Sequence, residues 1–199
     1  MKIIGVGAGP GLLTEEAILA IENAQVIFGS KRAMELAKDH IKCKASILTD
    51  YTLKMLPGNA VVLSTGDPML SGLGKYAKPE DEIIPGISSL QLACARLRLE
   101  IEDISVVTAH SRNIEVVKKR LLSELTHGKN VFLLPDSSFG ALEVAEFLNN
   151  NGLLGEIAVC QQLGYPDERI EIGTTEEPPS VETEMYCLVI TSNKIVIDQ

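Results

Sequence analysis

Three short glycine-rich segments carry the residue types that most readily bind a small ligand. They are residues 5–11 (GVGAGPG), 66–74 (GDPMLSGLG) and 85–89 (PGISS), each directly after an apolar run that predicts a buried strand. In open α/β sheets, ligands bind beyond the carboxyl ends of the strands, so we expect these loops to frame one crevice. They offer backbone groups, hydroxyls and one carboxylate, which suit a neutral or cationic small ligand better than a nucleoside triphosphate.

The first segment does not complete a dinucleotide-binding fingerprint. The pattern G-x-G-x-x-G needs glycine where Pro10 or Leu12 stands, and the second predicted strand ends at Phe28 with no acid to hold a ribose. A P-loop is excluded because Gly-Lys-Ser/Thr is absent. Two interpretations stay open: a tight strand-to-helix turn, or glycines that let a non-phosphate ligand lie close to the backbone.

The other two segments add polar and apolar side chains. Asp67 is expected either to cap a following helix or to lie near a cationic ligand, while Met69 and Leu70 offer a wall for an apolar group. Ser88 is explained as a helix N-cap, which leaves the hydroxyl of Ser89 for a ligand. A nucleophilic serine is disfavoured because the surrounding residues do not form G-x-S-x-G.

Composition excludes several classes of function. The chain has 199 residues, with 18 Lys and Arg against 27 Asp and Glu, so its formal net charge is −9. That charge disfavours a general nucleic-acid binder, and 4% aromatic residues without Trp disfavour a base-stacking platform. The four cysteines, at 43, 94, 160 and 187, form no C-x-x-C or zinc spacing, so no metal site is expected.

The chain shows no membrane or secretion signal. It begins with a predicted strand rather than a signal peptide, and no apolar run approaches the roughly 20 residues that span a bilayer. We therefore expect a cytoplasmic protein with reduced cysteines, in which Cys94 and Cys187 are small core residues.

The elements that must position these loops predict an α/β fold of two α/β domains. Strands and helices alternate through residues 1–109, which predicts a mainly parallel sheet. Residues 110–199 end in strands without intervening helices, which predicts a mixed or antiparallel sheet, and residues 109–113 form the expected linker. The predicted strands are 2–6, 25–28, 46–48, 60–64, 82–84 and 104–107, then 130–134, 157–161, 169–173 and 185–191; helices begin after Thr14, Ser30 and Ser88 and span 113–125 and 139–148.

Taken in order, the three glycine segments make the chain similar to the tetrapyrrole (corrin/porphyrin) methylases. Within that family it most resembles the cobalt-precorrin-7 (C5)-methyltransferases of cobalamin biosynthesis, through PGISSLQ at 85–91, AHSR at 109–112 and LGYPDERI at 163–170. Where the family commonly has His-Gly-Arg, this chain has Ser111 between His110 and Arg112.

The resemblance implies two domains with S-adenosylmethionine (SAM) in the cleft between them, and it implies the residues that contact this cofactor. The family motifs place the following residues at SAM: Ala8, Asp67, Met69, Leu70, Ser88, Ser89, Leu134, Leu163 and Gly164. Leu134 and the segment 163–164 would flank the adenine, although Leu134 is equally well explained as sheet core.

The resemblance also implies a corrinoid substrate rich in carboxylates, which a chain of net charge −9 repels at long range. We expect Pro10 and Arg112 to contact it; Lys31, Arg32, Arg96 and residues 118–120 are further candidate cations. His110 is the candidate base for any proton lost after methyl transfer, and a linker histidine that packs between domains is the alternative.

The resemblance further implies a homodimer and, because the chain ends at Gln199, a separate partner for the carbon-15 methylation and decarboxylation that some relatives carry in a fused domain. Other functions on the same fold stay open, namely another precorrin methylase, a diphthine synthase or a ribosomal RNA ribose methyltransferase, the last disfavoured by the acidic charge. A non-catalytic SAM- or tetrapyrrole-binding module and a nucleotide-dependent oxidoreductase are the alternatives from other classes.

Overall fold

Two five-stranded sheets accompanied by helices form the computed structural model, which describes residues 1–191. The chain divides into two compact units, Met1–Ser89 and a second unit that begins at Leu90. The predicted α/β class with one parallel and one mixed sheet is confirmed.

The first unit is a parallel sheet with two α-helices. Its elements in chain order are β1 (Lys2–Gly5), α1 (Glu15–Glu22), β2 (Val26–Gly29), α2 (Lys31–Ala37), β3 (Lys44–Ile47), β4 (Val61–Ser64) and β5 (Glu82–Ile84). The strand order is β3-β2-β4-β1-β5, and all four pairings between these strands are parallel. Strand β4 is buried along its whole length, as its apolar run predicts for a strand covered on both faces.

Both helices of this unit begin where the sequence predicts. The Oγ1 atom of Thr14 accepts a hydrogen bond from the N–H of Ala17 at 3.1 Å, and the Oγ of Ser30 accepts one from the N–H of Ala33 at 3.1 Å. These side chains satisfy backbone donors that the first helical turn leaves unpaired. Each cap therefore fixes how the chain leaves a strand end and enters the following helix.

The second unit contains a mixed sheet and three α-helices within the described residues. Its elements are α3 (Ser89–Leu97), β6 (Ile104–Thr108), α4 (Ile114–Thr126), β7 (Asn130–Leu134), α5 (Ala141–Asn150), β8 (Glu156–Gln161), β9 (Arg169–Thr174) and β10 (Tyr186–Thr191). The order is β6-β7-β10-β8-β9, with β6 and β7 parallel and the other pairs antiparallel. Three short 3-10 turns occur at Lys38–His40, Leu73–Tyr76 and Ile101–Asp103.

The expected place of residues 104–107 in the first sheet is wrong. Strand β6 pairs with β7 in parallel, from Ile104 opposite Asn130 to Thr108 opposite Leu134. An apolar run predicts a strand but does not show which strand it pairs with. The position of residues 104–107 at the end of the first predicted domain therefore did not indicate their sheet. The division between the compact units accordingly lies near residue 89 rather than at residue 109.

The start of α5 also differs from the prediction. The expected helix over 139–148 begins instead at Ala141, because the N–H of Phe139 donates to the carbonyl of Asp136 at 3.0 Å and closes a turn before the helix. The neighbouring α4 begins at Ile114, one residue after the predicted start, because Asn113 is its N-cap: Asn113 Oδ1 accepts from the N–H of Glu115 at 3.0 Å.

Cysteines lie in the interior of the second unit. Cys94, Cys160 and Cys187 are buried, and Cys187 of β10 lies directly opposite Cys160 of β8. The hydrogen bond with Cys160, together with burial, raises the pKa of the Cys187 thiol well above its usual value. The prediction that Cys94 and Cys187 are core residues is confirmed.

The helices of the described chain are short. Among residues 1–191, none combines the length and the apolar character that crossing a bilayer requires.

Candidate functional site

The three glycine segments meet at the carboxyl edge of the first sheet. We call residues 5–11, 66–74 and 85–89 the glycine-loop cluster. The N–H of Gly66 donates to the carbonyl of Gly7 at 2.8 Å, and the N–H of Ala8 donates to the carbonyl of Ile87 at 2.9 Å. The prediction that these loops lie together is confirmed, and backbone hydrogen bonds hold them there.

Glycine is required in this cluster because the backbones are in direct contact. A Cβ atom on Gly86 would lie 2.3 Å from the carbonyl oxygen of Gly66, and one on Gly5 would lie 2.5 Å from the nitrogen of Gly86. Side chains at Gly5 and Gly86 would therefore force the loops apart. The glycines thus serve close packing between the loops, which neither interpretation of the first segment anticipated.

Asp67 joins two of the loops through its carboxylate. Its Oδ1 accepts from the N–H of Met69 at 2.7 Å, and its Oδ2 accepts from the N–H of Gly86 at 3.1 Å. The first contact caps a local turn rather than a helix, and the second ties the loop after β4 to the loop after β5. Asp67 is a structural link between loops as well as a candidate ligand contact.

Arg32 has a role that the sequence did not predict. Its Nη2 donates to the carbonyl of Ala8 at 2.6 Å, which holds the first glycine loop against α2. We expected Arg32 only as one of several cations for an anionic ligand. Arg32 is the second residue of α2, two residues after the Ser30 cap, and this position was the available signal that it lies near the sheet edge.

The remaining cofactor candidates of this cluster differ in exposure. Ala8 and Ser88 are buried, Leu70 and Ser89 are half-buried, and Met69 is 64% exposed. Pro10, the substrate candidate, is exposed at the tip of the first loop. The cluster therefore presents apolar surface at Met69 and Pro10 beside buried polar and backbone groups.

Five candidate residues of the second unit lie at or just after the ends of strands that share one edge of its sheet. Strand β10 is antiparallel to both β7 and β8, and β6 is parallel to β7, so β6, β7 and β8 all run in one direction. His110 and Arg112 follow β6, Leu134 ends β7, and the turn at 163–164 follows β8. We call this the second-sheet edge; Leu134 is half-buried there and Leu163 is buried.

Asp136 is a residue of this edge that sequence reasoning missed. Hydrogen bonds from the N–H and hydroxyl of Ser138 lower the pKa of the Asp136 carboxyl below its usual value, and the N–H of Ser111 and the charge of His110 act in the same direction. Asp136 therefore lies beside the segment that follows β6. The available signal was its position, since an acid two residues beyond a strand end resembles Asp67 in the Gly-Asp-Pro loop.

Ser111 adopts a backbone conformation that favours glycine. Its φ is 56°, in the left-handed region that costs most residues free energy. This is the position where the resembling family commonly has glycine. Backbone hydrogen bonds hold this conformation: the N–H of Ser111 donates to the Asp136 carboxylate, and the N–H of Arg112 donates to the carbonyl of Ala109 at 3.0 Å.

Several candidate cations are engaged with acids. Arg96 pairs with Glu168 at 2.6 Å, Lys118 pairs with Glu115 at 3.1 Å, and Arg120 lies 3.8 Å from Glu124. Lys118 also lies over the rings of two phenylalanines, 139 and 147. Arg112 is exposed at the second-sheet edge, which favours it over those three as a contact for an anionic ligand.

A cavity of about 670 Å³ lies at the other end of the first sheet. It is lined by the residues that begin the strands, including Lys2, Val61 and Glu82. The glycine-loop cluster lies beyond the opposite, carboxyl ends of the same strands. The cavity is therefore separate from the candidate site.

The chemistry on offer differs between the two units. The glycine-loop cluster provides peptide groups, hydroxyls and apolar side chains that suit an organic ligand. The second-sheet edge provides an imidazole and a guanidinium, which can move a proton and hold a carboxylate. Within the part of the chain that the structure describes, no group of three or more His, Cys, Asp or Glu side chains is placed to hold a metal ion.

Comparison with known proteins identifies the class. Residues 2–179 match the model of the Tetrapyrrole (Corrin/Porphyrin) Methylases. The chain belongs to this family and is a methyltransferase.

Individual relatives within the family are methyltransferases of cobalamin biosynthesis. A probable cobalt-precorrin-7 C(5)-methyltransferase from Methanocaldococcus jannaschii is 38% identical, with 86% of this chain and 89% of that protein covered. A decarboxylating precorrin-6Y C(5,15)-methyltransferase from Sinorhizobium sp. is 30% identical over 85% of this chain but only 44% of that protein. The crystal structure of a precorrin-6Y methylase of cobalamin biosynthesis from Archaeoglobus fulgidus superposes with a TM-score of 0.77 at 29% identity, covering 98% of each chain.

Proposed function

We propose that this chain transfers a methyl group from SAM to carbon 5 of cobalt-precorrin-7 in cobalamin biosynthesis. The observation that carries the proposal is the 38% identity to the Methanocaldococcus jannaschii relative over nearly the full length of both proteins. The proposal is confined to carbon 5, because the chain matches less than half of the Sinorhizobium enzyme that is named for both carbons.

The glycine-loop cluster fits the donor that we propose. SAM supplies, when bound, a methyl group already activated by its sulfonium. The close backbone packing of Gly5, Gly66 and Gly86 fixes the three loops against one another, and the Met69 side chain is exposed beside them. In the proposal Ala8, Asp67, Met69, Leu70, Ser88 and Ser89 hold SAM from this unit, with Leu134, Leu163 and Gly164 at the adenine.

The chain's own contribution is orientation. A bimolecular methyl transfer held in near-attack geometry gains roughly 7–11 kcal/mol from positioning alone. The tethers from Asp67 to Gly86 and from Arg32 to Ala8 support this role, because they add to the backbone hydrogen bonds that already hold the loops together. Exclusion of water by the same loops would protect the reacting groups.

His110, Arg112 and Pro10 are proposed to act on the substrate. Asp136 lies beside the segment that carries His110, so an acid and a candidate base adjoin at this edge. Arg112, whose guanidinium can bind a carboxylate with two parallel hydrogen bonds, would hold one acetate or propionate group of the macrocycle. Pro10 would contact the ring from the exposed tip of the first loop.

Transfer of a labelled methyl group tests the proposal. Purified protein is incubated with methyl-labelled SAM and with cobalt-precorrin-7, the cobalt-free precorrin, or cobalt-precorrin-4. We expect one methyl group to be added to a precorrin-7 substrate, located at carbon 5 by NMR. Binding of S-adenosylhomocysteine without any transfer would instead support a non-catalytic binding module, and transfer to cobalt-precorrin-4 would support another precorrin methylase.

The proposal extends to a homodimer that acts in the cytoplasm, on the strength of the family resemblance. Sedimentation of the purified protein tests the first part, with a mass of twice 21.5 kDa expected.

A further inference from the structure

Helix α3 and the turn after β8 are joined through one carboxylate. The Nε of Arg96, in the last turn of α3, donates to Oε1 of Glu168 at 2.6 Å. The N–H of Gly164 donates to the other oxygen, Oε2, at 2.7 Å. Both oxygens of Glu168 are thus used, one by a charged donor and one by the backbone of the turn.

The turn itself has an unusual backbone. Gln162 has φ 51° and Gly164 has φ 81°, so two residues of three lie in the left-handed region. This conformation costs free energy at Gln162 and persists there only where surrounding contacts enforce it, whereas glycine adopts it without steric cost. The turn therefore depends on its hydrogen bonds more than an ordinary loop does.

The first half of the turn is held by the segment before β10. The N–H of Gln162 donates to the carbonyl of Met185 at 3.0 Å, and its Nε2 donates to Oγ1 of Thr183 at 3.2 Å. The second half is held by Glu168, through Gly164. Loss of the Glu168 carboxylate would leave the Gly164 N–H without this acceptor, while the N–H of Tyr165, which donates to the carbonyl of Gln162 at 2.9 Å, would still close the turn.

Burial makes the Glu168 contact effective. Its side chain is 20% exposed, against 46% for Arg96, so the carboxylate is shielded while its partner reaches it from the surface. Charge-assisted hydrogen bonds of this length are about twice as strong as neutral ones. The Arg96 contact removes one rotational freedom of the carboxylate and thereby aims Oε2 at Gly164.

We infer that Glu168, held by Arg96, is a positioning residue that sets the backbone of the 163–164 turn for recognition of the adenine of SAM. The inference rests on the proposed function, which places the adenine at this turn. Glu168 does not touch the ligand in this account; it acts through the Gly164 peptide. Its effect should therefore be on discrimination between bases more than on binding of the methionine part.

Calorimetry with two ligands tests the inference. S-adenosylhomocysteine and its inosine analogue, which differ only in the purine, are titrated into wild type, Glu168→Ala, Glu168→Gln and Arg96→Lys. We expect Glu168→Ala to bind S-adenosylhomocysteine at least about tenfold more weakly, with the preference for adenine over hypoxanthine reduced. Glu168→Gln keeps one acceptor for Gly164, and Arg96→Lys keeps the charge, so both should be intermediate.

Hydrogen exchange and a matched control variant distinguish a local effect on the turn from a general effect of removing a carboxylate. The Gly164 amide should exchange faster in Glu168→Ala than in wild type without any ligand present. Glu171→Gln removes a carboxylate from neighbouring β9, where it pairs with Arg169 at 2.5 Å, and should change neither ligand preference nor Gly164 exchange. A folded Glu168→Ala with wild-type preference and exchange would overturn the inference, whereas wild type that binds neither ligand would overturn the proposed function first.

Discussion

The carboxylate of Asp67 and the peptide N–H of Gly86, 19 residues apart in the chain, are joined by a hydrogen bond of 3.1 Å. The same carboxylate closes its own turn through the N–H of Met69. One side chain thus fixes the relative position of two loops that follow different strands. The candidate site of the first unit depends on this link, because its ligand-facing groups lie on both loops.

Replacing Asp67 with Asn should loosen the link. Asn keeps one oxygen for Met69 but turns an amide NH2 toward the N–H of Gly86, so two donors face each other. We expect S-adenosylhomocysteine to bind about tenfold more weakly, which corresponds to about 1.4 kcal/mol, as measured by calorimetry. Asp50→Asn is the matched control, since Asp50 accepts from Thr52 at 2.9 Å within a separate turn. Equal affinities of Asp67→Asn and wild type would contradict the role of the link.

Gly86→Ala tests the contact between backbones. Its Cβ would lie 2.3 Å from the Gly66 oxygen, a distance that the rigid loops cannot accommodate without moving. We expect a loss of roughly 1–3 kcal/mol or more in the free energy of unfolding, the range for overpacking, measured in denaturant. Gly58→Ala, where nothing lies within 4 Å of the added Cβ, should stay close to wild type. Similar stability of the two variants would count against the contact.

Ser111→Gly should stabilise the protein. Glycine adopts the φ of 56° without the steric cost that serine has there, and relief of about 1 kcal/mol is expected after the larger entropy of unfolded glycine is included. Ser180 is exposed in a loop and is not among the residues with positive φ, so Ser180→Gly should lower stability through the entropy term. Thermal unfolding of both variants provides the measurement, and a lower midpoint for Ser111→Gly would disprove the explanation.

His110→Gln should slow methyl transfer without weakening donor binding. Loss of a general base typically lowers the rate by about 10²–10⁴-fold, and the rise of the rate with pH that a base produces should disappear. His127→Gln is the control, because the His127 ring contacts the carbonyl of Ser123 at the end of α4. If His110→Gln turns over at the wild-type rate across the pH range, His110 is a structural residue of the segment after β6.

The raised pKa of the Cys187 thiol predicts that the folded protein loses stability at alkaline pH. Its folded pKa is raised by the hydrogen bond with Cys160 and by burial, so the thiol stays protonated in the folded state while the unfolded thiol ionises near 8.5. The contribution is therefore complete below that unfolded value and is lost as pH rises above it. Cys187→Val should flatten the alkaline slope of stability. Val189→Ala on the same strand should lower stability at every pH without changing that slope.

Local signals in the sequence predicted much of the fold. The caps at Thr14 and Ser30 are short-range patterns, and the two helices that follow them begin where they predict. The meeting of the glycine loops was predictable too, because parallel strands bring their carboxyl ends to one edge. The sheet to which β6 belongs was not, since strand pairing depends on packing between distant segments.

The sequence predicted which segments form the candidate site, but it did not predict the hydrogen bonds that join them. The sequence indicated Asp67 as a ligand contact. Its hydrogen bond to Gly86, however, depends on how two loops are positioned relative to each other in three dimensions, which residue spacing does not reveal. Glu168 lies within a motif quoted for the family resemblance, but its partner Arg96 is 72 residues away. Asp136 and Arg32 were missed as partners of the loops because both contacts arise only after the sheet edge is assembled.

Strand β10 comes after every other strand of the described chain, yet it lies between β7 and β8 in the second sheet. During synthesis on the ribosome, the β6-β7 pair and the β8-β9 pair therefore wait as two separate ribbons with open edges until Tyr186–Thr191 emerges. The first unit has all its strands by Ile84 and can fold while translation continues. A nascent chain that stalls before β10 would carry a first sheet with all its strands and two ribbons with unpaired edges, and such edges favour aggregation.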